Sequence, residues 1–164
     1  AVAAAPKPIY FAALKDAGTA NFVSRVYVLP LSTGWTFGIS HSSTSATVGV
    51  VPWTASLSFD TPYNVVINYD PGTKTSTLWV NPANELSPSV SITNAATAAF
   101  AISTFALRQS ASASTLPAAP AYVGTADWGF SVDNLGVGNT FDEACFQVTP
   151  THRATWGQVK TLYR

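Results

Sequence analysis

The chain has 164 residues, and only 16 are formally charged, eight basic and eight acidic, so its net charge is zero. Charged residues make up 10% of it, against roughly 25% in an average soluble domain, while hydrophobic residues make up 47% and include nine Phe, six Tyr and five Trp. A neutral chain lacks the basic footprint that tracks phosphates, which argues against a nucleic-acid partner. The aromatic content argues against disorder, and no apolar run approaches the roughly 18 residues of a membrane-spanning helix.

At this length one domain with a sizeable core is expected. The first residues, Ala1-Val2-Ala3-Ala4-Ala5-Pro6, lack the charged and apolar blocks of a signal peptide. They read as the remainder after cleavage at a small-residue site, or as a linker from a longer precursor. Residues 1–7 are assigned as an arm or linker, 8–148 as the folded body and 149–164 as a connector and short helix. Low charge and abundant Ser, Thr and Asn lean toward an extracellular protein.

Strand patterns then follow in order over residues 9–14, 22–31, 35–41, 46–51 and 55–59. The second is apolar on both faces, as a strand inside a sandwich would be. Residues 63–69 alternate Tyr63, Val65, Ile67 and Tyr69 against Asn64, Val66 and Asn68, the period of a half-buried strand. Asp70-Pro71-Gly72-Thr73 is a turn, with Pro presetting its dihedral and Gly72 free to take a positive φ. Residues 75–81 return with Leu78 and Val80 on one face and Thr77 and Trp79 on the other, so the two segments form an antiparallel hairpin. Residues 95–99 are Ala-rich and could form a helical turn. Residues 100–108, 129–138 and 140–146 read as further strands, and 110–120 as a long loop. Thr155 and Gln158 fit a capping box, followed by a helix that puts Trp156, Val159 and Tyr163 on one face. Many short strands with frequent turns indicate a β-sandwich or barrel.

The acid–base inventory is thin. Glu85 and Glu143 are the only Glu, and His41 and His152 the only His. His41 reads as a surface residue at a strand end, and His152 as part of a solvated connector. Cys145, the single cysteine, reads as a small buried hydrophobe. There is no nucleophile elbow. Asp142 and Glu143 are adjacent, and on a strand they would face opposite ways rather than flank one glycosidic bond. Asp127 and Asp133 are weak candidates for calcium, and otherwise no cofactor or metal is expected. Trp35, Trp53, Trp79 and Trp128 are candidates for ligand contact, because Trp stacks on sugar rings and anchors interfaces. The competing reading for each is core packing.

Three motifs carry a family resemblance. Tyr63-Asn64-Val65-Val66-Ile67-Asn68-Tyr69-Asp70 with Thr77-Leu78-Trp79-Val80-Asn81-Pro82 resembles the central hairpin of bacterial secreted concanavalin A-like (laminin-G-like) jelly-roll domains. Phe105-Ala106-Leu107-Arg108-Gln109 resembles their following strand, and residues 131–141 their closing strand. The resemblance spans residues 8–146. It implies two antiparallel sheets and an extracellular module for carbohydrate recognition, adhesion or scaffolding. The E-x-D-x-x-E strand of related glucanases does not occur, which argues against an enzyme of that kind.

Such domains carry further strands before the segment matching Ile9-Tyr10-Phe11, and here eight residues precede Ile9. The expected fold is therefore all-β: an antiparallel two-sheet β-sandwich of jelly-roll type, lacking N-terminal strands, with a short C-terminal helix. A missing strand leaves an edge that another chain can pair with. Two functions are expected from this: a non-enzymatic extracellular module that binds carbohydrate, or a self-assembling subunit of a filament or surface layer. In the second, Val2, Ile9, Trp156 and Tyr163 would contact other copies. The partners expected are thus extracellular glycan or copies of the chain itself, with no nucleic acid and no membrane span.

Overall fold

The structure, a computed structural model, describes residues 9–18, 21–31, 33–43, 48–111 and 131–145, and side chains within these except at 108–111. The chain forms two compact units, Ala1–Ser131 and Val132–Arg164. In chain order the strands are β1 (Ile9–Lys15), β2 (Phe22–Pro30), β3 (Trp35–Ser40), β4 (Val50–Pro52), β5 (Val65–Asp70), β6 (Thr75–Val80), β7 (Val90–Thr93) and β8 (Thr104–Ala111), and one short helix, α1 (Phe141–Cys145), lies in the second unit.

The first unit is an all-β sandwich. Its two antiparallel sheets have the strand orders β4-β3-β2-β1-β8 and β5-β6-β7. Their facing surfaces bury Ala12, Val26, Val28, Trp35, Phe37, Ile39, Leu57, Leu78 and Val80 in one core. The alternation within strands produces this layer. Val26 and Val28 pair with Ile39 and Phe37 across β2 and β3, while Leu78 and Val80 point inward from β6. Each such side chain, fully buried, contributes roughly 1.5–3 kcal/mol of transfer free energy. The register of β1 against β2 shifts between Tyr10 and Ala12. That irregularity puts the neighbours Phe11 and Ala12 both against the core, which strict alternation would forbid.

The hairpin forms as expected, with Val65 opposite Val80 and Asp70 opposite Thr75. Its turn differs in detail. The left-handed residue is Lys74, at φ 56°, and not Gly72. The Asp70 carboxylate organises the turn, accepting the Gly72 amide at 2.8 Å and the Thr73 hydroxyl at 2.7 Å. These bonds to the ionised form, that from Thr73 foremost, hold its pKa below the usual carboxylate value. Asn81 ties off the other end, its amide donating to the Asn64 carbonyl and its side-chain Oδ1 accepting the Asn64 amide, both at 2.7 Å.

Other expectations are revised. Residues 55–59 form no strand; only Leu57 bridges to Trp35. The Thr36 hydroxyl lies 3.2 Å from the Trp53 carbonyl and 2.8 Å from that of Ala55. Acceptors there thus meet a side chain rather than a neighbouring strand. Residues 95–99 form no helix. The short strand β7, which sequence periodicity did not single out, supplies Val90 and Ile92 to the core.

In the second unit the described residues 132–138 form no strand, and 141–145 is helical rather than extended. The Thr140 hydroxyl caps the helix by accepting the Glu143 amide at 3.2 Å, while Glu143 Oε2 accepts the Asn139 amide at 2.7 Å. This is capping-box chemistry. Asp142 and Glu143 both fall in the first helical turn, where carboxylates complement the helix dipole. A Cβ on Gly138 would lie 2.4 Å from that of Glu143, so the tight approach requires glycine. Cys145 is half-buried. Burial and then the charge of Asp142 push its thiol pKa up, which keeps it protonated and poorly nucleophilic.

Candidate functional site

Of the three described tryptophans, two are buried and one is half-buried. Trp35 is buried and packs edge-on against Phe37 at 4.8 Å and Tyr63 at 5.7 Å between ring centroids. Trp79 is buried on the outer face of the three-stranded sheet, and its indole N–H donates to the Glu85 carbonyl at 3.2 Å. Trp53 is half-buried against the core. Neither Trp35 nor Trp79 has a solvent-facing ring on which a sugar could stack. Trp128, Asp127, Val2, Trp156 and Tyr163 lie outside the described residues. Asp133 is exposed, with its carboxylate accepting the Asn134 amide, and the described residues contain no group of three potential metal ligands. Ile9 is half-buried and pairs with Val28 on one side and Ala111 on the other.

What the outer face of the three-stranded sheet does expose is polar. Register aligns Asn68 with Thr77 and Ser91, and Asp70 with Thr75 and Thr93. These six side chains are exposed or half-buried. Cross-strand hydroxyl pairs brace the two rows: Thr77 and Ser91 are 2.9 Å apart and Thr75 and Thr93 2.7 Å apart. Such pairs stabilise a sheet by a few tenths of a kcal/mol to about 1 kcal/mol. They also set the hydroxyls at fixed positions with lone pairs still free. The third row, Val66 with Trp79, is apolar and buried. The face is thus a hydroxyl, amide and carboxylate surface bounded on one side by a covered aromatic.

A second polar cluster lies inside, where β2 and β3 meet β5 and β6. Ser24 is fully buried and left-handed at φ 50°, a conformation that costs a non-glycine residue of order 1 kcal/mol. Its hydroxyl lies 2.8 Å from the hydroxyl of the equally buried Ser76 and 3.3 Å from the Asn68 carbonyl. The Ser24 amide donates to the His41 carbonyl at 2.8 Å. The His41 side chain, expected at the surface, is 2% exposed. It packs against Tyr69 and Phe100, with ring centroids 5.6 and 6.0 Å away. The Tyr69 hydroxyl accepts the Phe100 amide at 3.0 Å, which pins that segment to the sheet.

Arg25 is the other buried surprise. Its guanidinium lies 5.4 Å from the Tyr10 ring centroid and 5.7 Å from that of Phe22, and its Nη1 donates to the Ser42 and Ser43 carbonyls. The Tyr27 hydroxyl donates to the same Ser43 carbonyl at 2.9 Å. Burial raises the Tyr27 pKa, and the nearby guanidinium partly offsets this. Ring faces and carbonyls together stabilise the charge and hold the chain just after His41. In sequence, Arg25 sits in an apolar run and gives no sign of this role.

Comparison with protein families, with characterised proteins and with solved structures finds no match to this chain.

Proposed function

We propose that this protein is a non-enzymatic extracellular binding module of concanavalin A-like type, and that the outer face of its three-stranded sheet contacts carbohydrate. The observation that carries this reading is the pair of rows Asn68–Thr77–Ser91 and Asp70–Thr75–Thr93. Sugar hydroxyls both donate and accept hydrogen bonds. A surface of fixed hydroxyls beside an amide and a carboxylate matches that mixed character, as a row of lysines would not. The low charge of the chain favours neutral polysaccharide over an ionic ligand. Recognition here rests on hydrogen bonding rather than on stacking by Trp35 or Trp79. Affinity electrophoresis through gels containing neutral polysaccharides should retard the protein, and Asn68→Ala with Thr77→Val should remove the retardation. Unchanged mobility of the parent protein in every gel would reject the reading.

A second reading, self-assembly through strand edges, is favoured by β8. Among the described residues this strand pairs only with β1. Its stretch Thr104-Phe105-Ala106-Leu107 is uncharged, and Leu107 is 52% exposed. Over its eight residues the strand carries one charge, Arg108, and no proline, and so sparsely guarded an edge invites pairing with another chain. Sedimentation should then detect oligomers that Leu107→Lys dissolves, with monomer stability changed by no more than about 0.5 kcal/mol. A parent protein that sediments as a monomer at all concentrations would remove this reading.

A further inference from the structure

His41 closes the polar end of the interface between the sheets. It is 2% exposed, and neither Nδ1 nor Nε2 has a hydrogen-bond partner among the described residues. A buried neutral imidazole without partners already forgoes its bonds to water. A buried imidazolium would forgo far more, because an unpaired charge is the costliest group to desolvate.

The groups around it offer a proton no compensation. β5 presents the Tyr69 ring, and at its exposed end Asp70, whose carboxylate is engaged by Gly72 and Thr73. The turn after β5 presents Lys74, whose ammonium donates to the Ala95 carbonyl at 2.9 Å. From β2 come the Ser24 hydroxyl and the cation Arg25, the latter bonded to the carbonyls of the two residues that follow His41. β6 contributes the Ser76 hydroxyl, and the segment 94–103 contributes Phe100 and no ionisable residue. The one charge with a resolved influence on the ring is Lys74, and it is positive, while the Asp70 carboxylate is committed to its own turn.

We propose that His41 is an acid-sensitive latch: as a neutral ring it belongs to the packed seam between the sheets, and on taking up a proton it loosens the sandwich at this end. The latch is independent of what the outer face binds. Burial first, and Lys74 second, lower the His41 pKa below the ordinary 6.5. The unfolded chain therefore binds the proton more readily than the folded one. Stability is level above pH 6.5 and falls as the pH drops from there toward the folded-state pKa, by up to about tenfold in the folded-to-unfolded ratio per pH unit. Below that pKa both states are protonated and the loss stops growing.

Urea denaturation from pH 7.5 to 5, above the range where carboxylates titrate, tests this. The parent protein should lose stability below pH 6.5, His41→Phe should be flat across the window, and His152→Gln should keep the parent slope. A parent-like slope in His41→Phe would overturn the proposal. Should that variant fail to fold, histidine NMR of the parent protein decides. The proposal expects the His41 ring to remain neutral well below pH 6.5, and a midpoint at or above 6.5 would refute it.

Discussion

The two ends of the inter-sheet interface solve one packing problem with different chemistry. At one end Trp35 stands edge-on to Phe37 and Tyr63, with Leu57 bridged to it. At the other, the Ser24 and Ser76 hydroxyls cross the gap while His41, Tyr69 and Phe100 pack as a three-ring cluster. The aromatic end is held by non-directional burial, which depends on volume and little on solution conditions. The serine–histidine end depends on a completed hydrogen bond and on a ring that stays neutral. Damage to the first should therefore scale with the volume removed. Damage to the second should scale with what is left unpaired, and with pH.

The largest expected effect is at the aromatic end. Trp35→Ala should cost about 3–5 kcal/mol of unfolding free energy, measured by urea denaturation, and by the same amount at pH 7.5 and 5.5. A marked pH dependence of that cost would erase the contrast between the ends. At the polar end, His41→Phe should gain on the parent protein by up to about 1.4 kcal/mol for each pH unit below 6.5. Ser76→Ala leaves the Ser24 hydroxyl with one partner fewer in a buried site and should cost about 1–2 kcal/mol. Adding Ser24→Ala to it should cost less than the two single changes added together, because the second removes the orphaned group. Strict additivity in that double-mutant cycle would show that the two hydroxyls are not coupled.

The smallest effect belongs to an exposed carboxylate. Because the Thr73 hydroxyl and the turn amides lower the Asp70 pKa, its contribution is present above the ordinary value of 3.8 and is lost as pH falls below it. Asp70→Asn should remove only a shallow part of the acid limb of the stability curve. An effect as large as that of His41→Phe would mean that the turn, and not the interior, governs acid sensitivity.

Much of the sandwich was legible in the residues because strand periodicity is local. The hairpin of β5 and β6 follows from alternation on both sides of Asp70-Pro71-Gly72-Thr73, and the doubly buried β2 from its apolar run. The outward direction of Trp79 was legible too, yet not that the chain around Glu85 folds over it. The helix over 141–145 reads as a strand in sequence because Phe141, Ala144 and Cys145 are compatible with either period. The spacing of Thr140 and Glu143, which form the cap, is the signal in sequence that favours the helix. Val90–Thr93 was missed because four residues carry little periodicity.

The candidate sites divide in the same way. That Asn68 and Thr77 stand on strand faces was readable. That register sets Asn68, Thr77 and Ser91 in one row was not, because pairing is chosen by turn geometry and by the core on the opposite face. His41 and Arg25 show the limit most clearly. His41 stands at a strand end beside Ser42 and Ser43, as a solvated residue would, and Arg25 lies in an apolar run that foretells burial but not the rings and carbonyls that accept its charge; those partners come from other segments of the chain. By itself, then, the sequence determined a low-charge, all-β, hairpin-built chain, since charge count and two-residue periodicity act over a few residues. Tertiary structure alone decided which polar groups are shut away from water and which are offered to it. Burial is made by groups that strand pairing and packing bring together from separate segments, and no single strand contains them.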